Sequence, residues 1–165
     1  MTLQSLITNF RMKYGHAPVE HIYVYKAGKL VSHKVGGKRS TGFGNCITDC
    51  DVIHNHPNGT PAFSDSDIIM TIYGGARSVT AVSAMHGSWT MARPSGGWPN
   101  ISHTAIEFAF KKSLSEVKKS ERVKKLVADI RARKVSMDEG DAIFNALWAG
   151  NAVRSLGLKF SSVRW

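Results

Sequence analysis

Val52-Ile53-His54-Asn55-His56-Pro57-Asn58-Gly59-Thr60-Pro61-Ala62-Phe63-Ser64-Asp65-Ser66-Asp67-Ile68 decides how the chain is read. Val52-Ile53 leads into two histidines spaced i, i+2, and side chains two apart on an extended segment point the same way. Both imidazoles can therefore reach one ion. Pro57, Gly59 and Pro61 end the strand and turn the chain, and Ser64, followed three residues later by Asp67 before an apolar run, reads as a helix start. That turn can bring Asp67 back towards the histidines. Two imidazoles and one carboxylate make a three-ligand set with an open fourth position, the usual arrangement of a catalytic zinc site and not of a closed structural one. Ser64 and Asp67 also read as a plain capping box, and a ligand carboxylate is not expected to bond the cap as well.

A catalytic site of this kind needs a general base. The acidic residues before His54 are Glu20, Asp49 and Asp51. Glu20 is the sole glutamate among them and heads a strand-like run, Glu20-His21-Ile22-Tyr23-Val24-Tyr25, a rigid element able to hold a carboxylate near a metal. Glu20, then His54-x-His56, then Asp67, with Pro61-x-x-Ser64-x-x-Asp67 inside the gap, resembles the signature of the JAMM (JAB/MPN) metalloprotease family. The resemblance implies that His54, His56 and Asp67 bind Zn2+, that Glu20 activates the bound water and that Ser64 helps stabilise the tetrahedral oxyanion. It implies an α/β fold, a JAMM-like (cytidine-deaminase-like) curved mixed sheet flanked by helices, and a protein or peptide substrate cut near the tail of a ubiquitin-like protein. Asn55 stands where many members have serine, and the His-Asn-His-Pro version is similar to bacterial and phage branches. Three classes follow: a zinc isopeptidase or peptidase, a RadC-like module acting near DNA, and a phage structural or assembly protein with a non-proteolytic site.

At 165 residues and 42% hydrophobic, the chain is long enough for one substantial core. A single domain over 1–165 is expected, with a metal-binding α/β core at 1–100 and a basic helical extension and terminal strand at 101–165. No apolar run approaches membrane-spanning length, and the first residues lack the basic region and cleavage site of a signal peptide. A cytoplasmic protein with no membrane partner is the expectation. Net charge is +10, which favours polyanions or acidic protein surfaces. Cys46 and Cys50 are read as free thiols packed beside the motif strand.

Taken in order, Leu3, Leu6, Ile7 and Phe10 give a short amphipathic helix ending near Tyr14-Gly15. Val19 to Tyr25 and Lys29 to Lys34 form a hairpin across Lys26-Ala27-Gly28, and the glycine-rich run Val35 to Gly44 is a mobile loop. A helix from Asp67 to Tyr73 precedes two strands, Ser78 to Ala84 and Ser88 to Arg93. From His103 to about Lys134 a long basic amphipathic helix, broken near Ser120, carries ten lysines and arginines. Its basic face is either solvated or a docking surface for nucleic acid or an acidic protein. A second helix runs from Asp138 to about Ser155, and a last strand-like piece from Leu158 to Trp165 is expected to be packed. His16, His21, His33, His86 and His103 are left out of the site.

Overall fold

A computed structural model describes residues 2–36, 46–57 and 59–165. The chain forms two compact units, Met1–Asn100 with Lys159–Trp165, and Ile101–Leu158. The greater part of the glycine-rich loop read from the sequence lies outside the described residues.

In the first unit, α1 (Leu3–Tyr14) is followed by β1 (His21–Lys26), β2 (Lys29–Val35), β3 (Asp51–Asn55), α2 (Asp65–Tyr73), β4 (Ser78–Ser83) and β5 (Gly87–Ala92). Its last strand, here β6 (Ser161–Val163), comes from the end of the chain. Among the described residues these strands form one mixed sheet in the order β2-β1-β3-β4-β5-β6. The β3–β4 pair is parallel, joined by α2 as crossover, and the other pairs are antiparallel. An α/β class with a mixed sheet is therefore present.

The inner strands β3 and β4 are buried at every position, as strands covered on both faces must be. On one face Leu6, Ile7 and Phe10 of α1 pack with Tyr23, Tyr25, Ile53 and Val82. Alternation sends Val52 and His54 to the other face. The β1–β2 turn takes Ala27 and Gly28 at φ 48° and 77°, the positive pair of a type I′ hairpin that matches strand twist. On β2, Val31 is bulged between the pairs Val24↔Ser32 and Tyr25↔Leu30, a device that protects an edge strand. Gly87, at φ 102°, admits β6: a Cβ there would lie 1.9 Å from the Val163 carbonyl oxygen.

The final residues join the sheet edge of the first unit, but Ser161 to Trp165 are exposed there and not packed as the sequence suggests. Phe160 stacks on Trp89 at 4.3 Å, and Trp165 donates its indole N–H to the Ser83 carbonyl at 2.6 Å under the guanidinium of Arg11. Cys50 is buried, whereas Cys46 is exposed, and neither is in a disulfide. The second unit consists of α3 (His103–Lys119), α4 (Glu121–Arg131) and α5 (Met137–Ser155). The break expected near Ser120 falls on that residue, which has ψ 147° and caps α4 by accepting from Val123 N–H. Phe110 meets Trp148 edge-on at 5.5 Å, and Ser113 donates to the Trp148 carbonyl. No helix among the described residues is long and apolar enough to cross a membrane.

At the start of β3, Asp51 is buried, accepts from Ser78 Oγ at 2.7 Å and from Arg77 Nε at 2.9 Å, and pairs with Arg77 Nη2. Burial pushes its carboxyl up, but Arg77 and Ser78 outweigh that and hold it below the usual range. A carboxyl whose folded pKa lies below its unfolded value of about 3.9 contributes stability above that pH, and the contribution is lost as pH falls through the folded value. Asp51→Asn should cost about 1–3 kcal/mol at neutral pH and flatten the acid side of the stability curve below about pH 4. Denaturant melts at several pH values check this, and superimposable curves for the two proteins would contradict it.

Candidate metal centre

The site forms at the carboxyl end of β3, where an open α/β sheet presents the ends of its strands and the first turn of the following helix. His54 is the fourth residue of β3 and is fully buried. His56 lies just past the strand on the same side. Its neighbour Pro57 begins a turn in which Gly59 N–H donates back to the His56 carbonyl at 2.9 Å, with Gly59 at φ 71°. The turn returns the chain so that the Thr60 carbonyl meets His56 Nδ1 at 3.0 Å. A carbonyl can only accept, so Nδ1 carries the proton, and in the neutral ring Nε2 offers its lone pair to the site.

α2 delivers the third group. Ser64 is its N-cap and Asp67 the third helical residue, with both halves of the capping box formed. Asp67 Oδ2 accepts from Ser64 N–H and Ser64 Oγ–H, both at 2.8 Å, and faces His56 Nε2 at 3.2 Å. Oδ1 faces His54 Nε2 at 3.2 Å. One carboxylate thus bonds the cap and faces both imidazoles, with Oδ2 taking the cap and His56 and Oδ1 taking His54.

The two Nε2 atoms are 3.1 Å apart. Three edges of 3.1–3.2 Å would need three protons to be hydrogen bonds, yet two ring nitrogens supply at most two. When both carry one, two N–H groups face each other. A single cation meets all three donors at once: at about 2.0 Å from each, tetrahedral ligands stand about 3.3 Å apart. The donor set therefore suits a cation that takes imidazole and carboxylate ligands. Burial disfavours charge on Asp67, but the two imidazoles outweigh it and keep the carboxyl well below its ordinary range. Burial likewise opposes charge on His56, and the Asp67 carboxylate raises its pKa despite it.

Glu20 is buried just ahead of β1. β1 pairs Ile22 with His54, and that register continued by two residues sets Glu20 across from His56. Ligand atoms of Glu20, His54 and His56 all lie within 4.8 Å of one another. Glu20, His54 and His56 could therefore hold a metal ion, and Asp67 reaches the same two imidazoles, Oδ1 facing His54 and Oδ2 facing His56, each at 3.2 Å.

Two contributors were not read from the sequence. Thr60 fixes the His56 tautomer through its carbonyl, which no side-chain motif reports. Asn55, fully buried between the two histidines, points to the opposite face. There its Oδ1 accepts from His21 N–H at 2.8 Å, and its Nδ2 donates to the carbonyls of Val19 at 3.1 Å and Ala17 at 3.4 Å. These bonds clamp the backbone on both sides of Glu20, while Gly36 N–H donates to the carbonyl of Glu20 itself at 2.7 Å. A buried asparagine on a strand must find such partners, and that was the available signal. Of the histidines left out of the site, His21 and His33 bond each other at 3.1 Å beside Tyr14.

Asn55→Ala leaves one backbone N–H and two carbonyls without that partner, so the fold should lose about 1–3 kcal/mol, while any metal content measured for the parent protein should be retained, because His54, His56 and Asp67 lie on the other face. Denaturant titration and metal analysis check the pair of outcomes; an unchanged midpoint would contradict the clamp. The chain matches no protein-family model, no curated protein and no solved structure, so the reading of this centre rests on its geometry and on the motif that builds it.

Proposed function

We propose that the protein is a zinc-dependent isopeptidase or peptidase that hydrolyses an amide bond, as its resemblance to the JAMM family implies. The observation that supports this most is the meeting of His54, His56 and Asp67 at 3.1–3.2 Å with the carboxylate of Glu20 within 4.8 Å of both imidazoles. A proteolytic metal site needs that combination, a buried three-donor set plus one more carboxylate close by to move a proton.

His54, His56 and Asp67 would hold the ion, which when bound supplies Lewis acidity that lowers the pKa of water from about 15.7 to roughly 7 and polarises the scissile carbonyl. Glu20 takes a proton from the attacking water and returns it to the leaving amine. The clamp by Asn55 and Gly36 holds the backbone around Glu20 in place, which limits the reorganisation that the transfer requires. Ser64 donates its hydroxyl to the developing oxyanion, for which the Oγ–H must turn away from Asp67 Oδ2, its partner at 2.8 Å. The substrate class is a protein or peptide, with the tail of a ubiquitin-like protein the first to try. A second reading, a RadC-like or phage assembly module whose site binds metal without cutting, draws support from that same bond, because it occupies the hydroxyl proton.

The two separate in one assay series. Incubation with ubiquitin-like conjugates and a peptide panel should give cleavage that a chelator abolishes and zinc restores. Glu20→Gln should retain zinc and lose about 100- to 10,000-fold in turnover. Ser64→Ala should retain zinc, lose about 100- to 1000-fold and cost about 1 kcal/mol of stability through the lost cap. Full activity in Glu20→Gln would overturn the assignment of the base. Stoichiometric zinc without cleavage of any substrate would favour the second reading.

A further inference from the structure

The buried stripe of α3 is Ile106, Phe110, Ser113 and Val117. At about 100° of rotation per residue, the opposite face carries Phe108 and Ser115 along its centre, with Lys111 and Lys118 on one flank and Lys112 and Lys119 on the other. All six are exposed, and Phe108 is 65% accessible. The lysines of each flank are seven residues apart, about 10.5 Å along the axis. No acidic residue stands between the two rows. Among the described residues Lys111, Lys118 and Lys119 make no ion pair, and Lys112 has only Glu116 at 3.9 Å, both side chains well exposed, an interaction of little strength. The excess continues along the chain: from Lys111 to Lys134 ten basic residues face Glu116, Glu121 and Asp129, a net +7.

We propose that this face of α3 docks on the phosphate backbone of double-stranded DNA, without reading its sequence. Lysine is depleted from protein–protein interfaces, whereas neutralising phosphates and releasing their counterions is how a lysine array binds nucleic acid. The helix, about 10–12 Å across, matches a major groove about 12 Å wide. Lying there, it would turn one lysine row to each phosphate wall. Between the rows no arginine, asparagine, glutamine or carboxylate is placed to bond base edges, so the contact is general. A lone phenylalanine is no stacking series for single strands, and the apolar stripe is already buried, which leaves no face to insert into a membrane. The proposal is independent of the metal centre.

Fluorescence anisotropy of the full chain with labelled DNA duplexes of two unrelated sequences, between about 50 and 200 mM salt, tests it. Expected are equal affinities for both sequences and a steep fall with salt. The quadruple variant K111A/K112A/K118A/K119A should reduce the magnitude of the log–log salt slope by about 3.6, at about 0.9 per phosphate contact. Alanine favours helix, so circular dichroism should show the variant folded. A control variant, K26A/K29A/K34A in the first unit, should keep the slope. Absence of binding at low salt, an unchanged slope in a folded quadruple variant, or equally strong binding to polyglutamate would each overturn the proposal.

Discussion

An ionised carboxylate taken out of water is the constraint on which the rest of the structure depends. Asp67 is 6% exposed, and a buried anion is tolerated only where donors or cations surround it. Two donors come from Ser64, so the charge stabilises the start of α2, where the helix dipole also favours an anion. The remaining lone pairs face two imidazoles whose own proton supply cannot satisfy every edge. The same arrangement is frustrated as a hydrogen-bond network and complementary to a cation. Local helix chemistry and metal chemistry thus draw on one residue.

The sheet supplies the precision. β3 is buried on both faces, so alternation there has no slack: Ile53 must face α1, His54 must face α2, and Asn55 must face back again. The parallel β3–α2–β4 connection sets the first turn of α2 beyond the end of β3, where Asp67 meets the histidines. The antiparallel β1–β3 register brings Glu20 level with His56 from the other side. Donors carried by two strand ends and a helix start, each packed against a core, keep their geometry better than donors on a free loop would. Asn55 ties the two strand ends together on the face away from the histidines, so the position of the proposed base depends on a residue outside the pocket.

Much of this was legible because it is local. The i, i+2 histidines, the proline and glycine breaks and the Ser64–Asp67 spacing each constrain a few neighbouring residues, and so do the apolar periods of α1 and α2. What sequence could not carry is pairing. Nothing within residues 158–165 says that they return to the edge of β5; that follows from Gly87 having no Cβ to block them. The bulge at Val31 and the Thr60 carbonyl on His56 depend on backbone paths, not on side-chain type. The capping box read from Ser64 and Asp67 is formed in full, since it too needs only three consecutive steps of chain. Cys46 was read as packed and is exposed, since proximity in sequence to a buried strand does not bury a residue in the approach to it.

The central claim is that His54, His56 and Asp67 converge to hold one ion. Anomalous diffraction at the zinc absorption edge, on crystals of the full chain grown with zinc, tests it most directly. The account predicts a single strong peak about 2.0–2.2 Å from Nε2 of both histidines and from one Asp67 oxygen, with Glu20 close but not nearest. A map with no peak at that point, or one with its peak at another set of side chains while the three donors keep their present spacing, would contradict it.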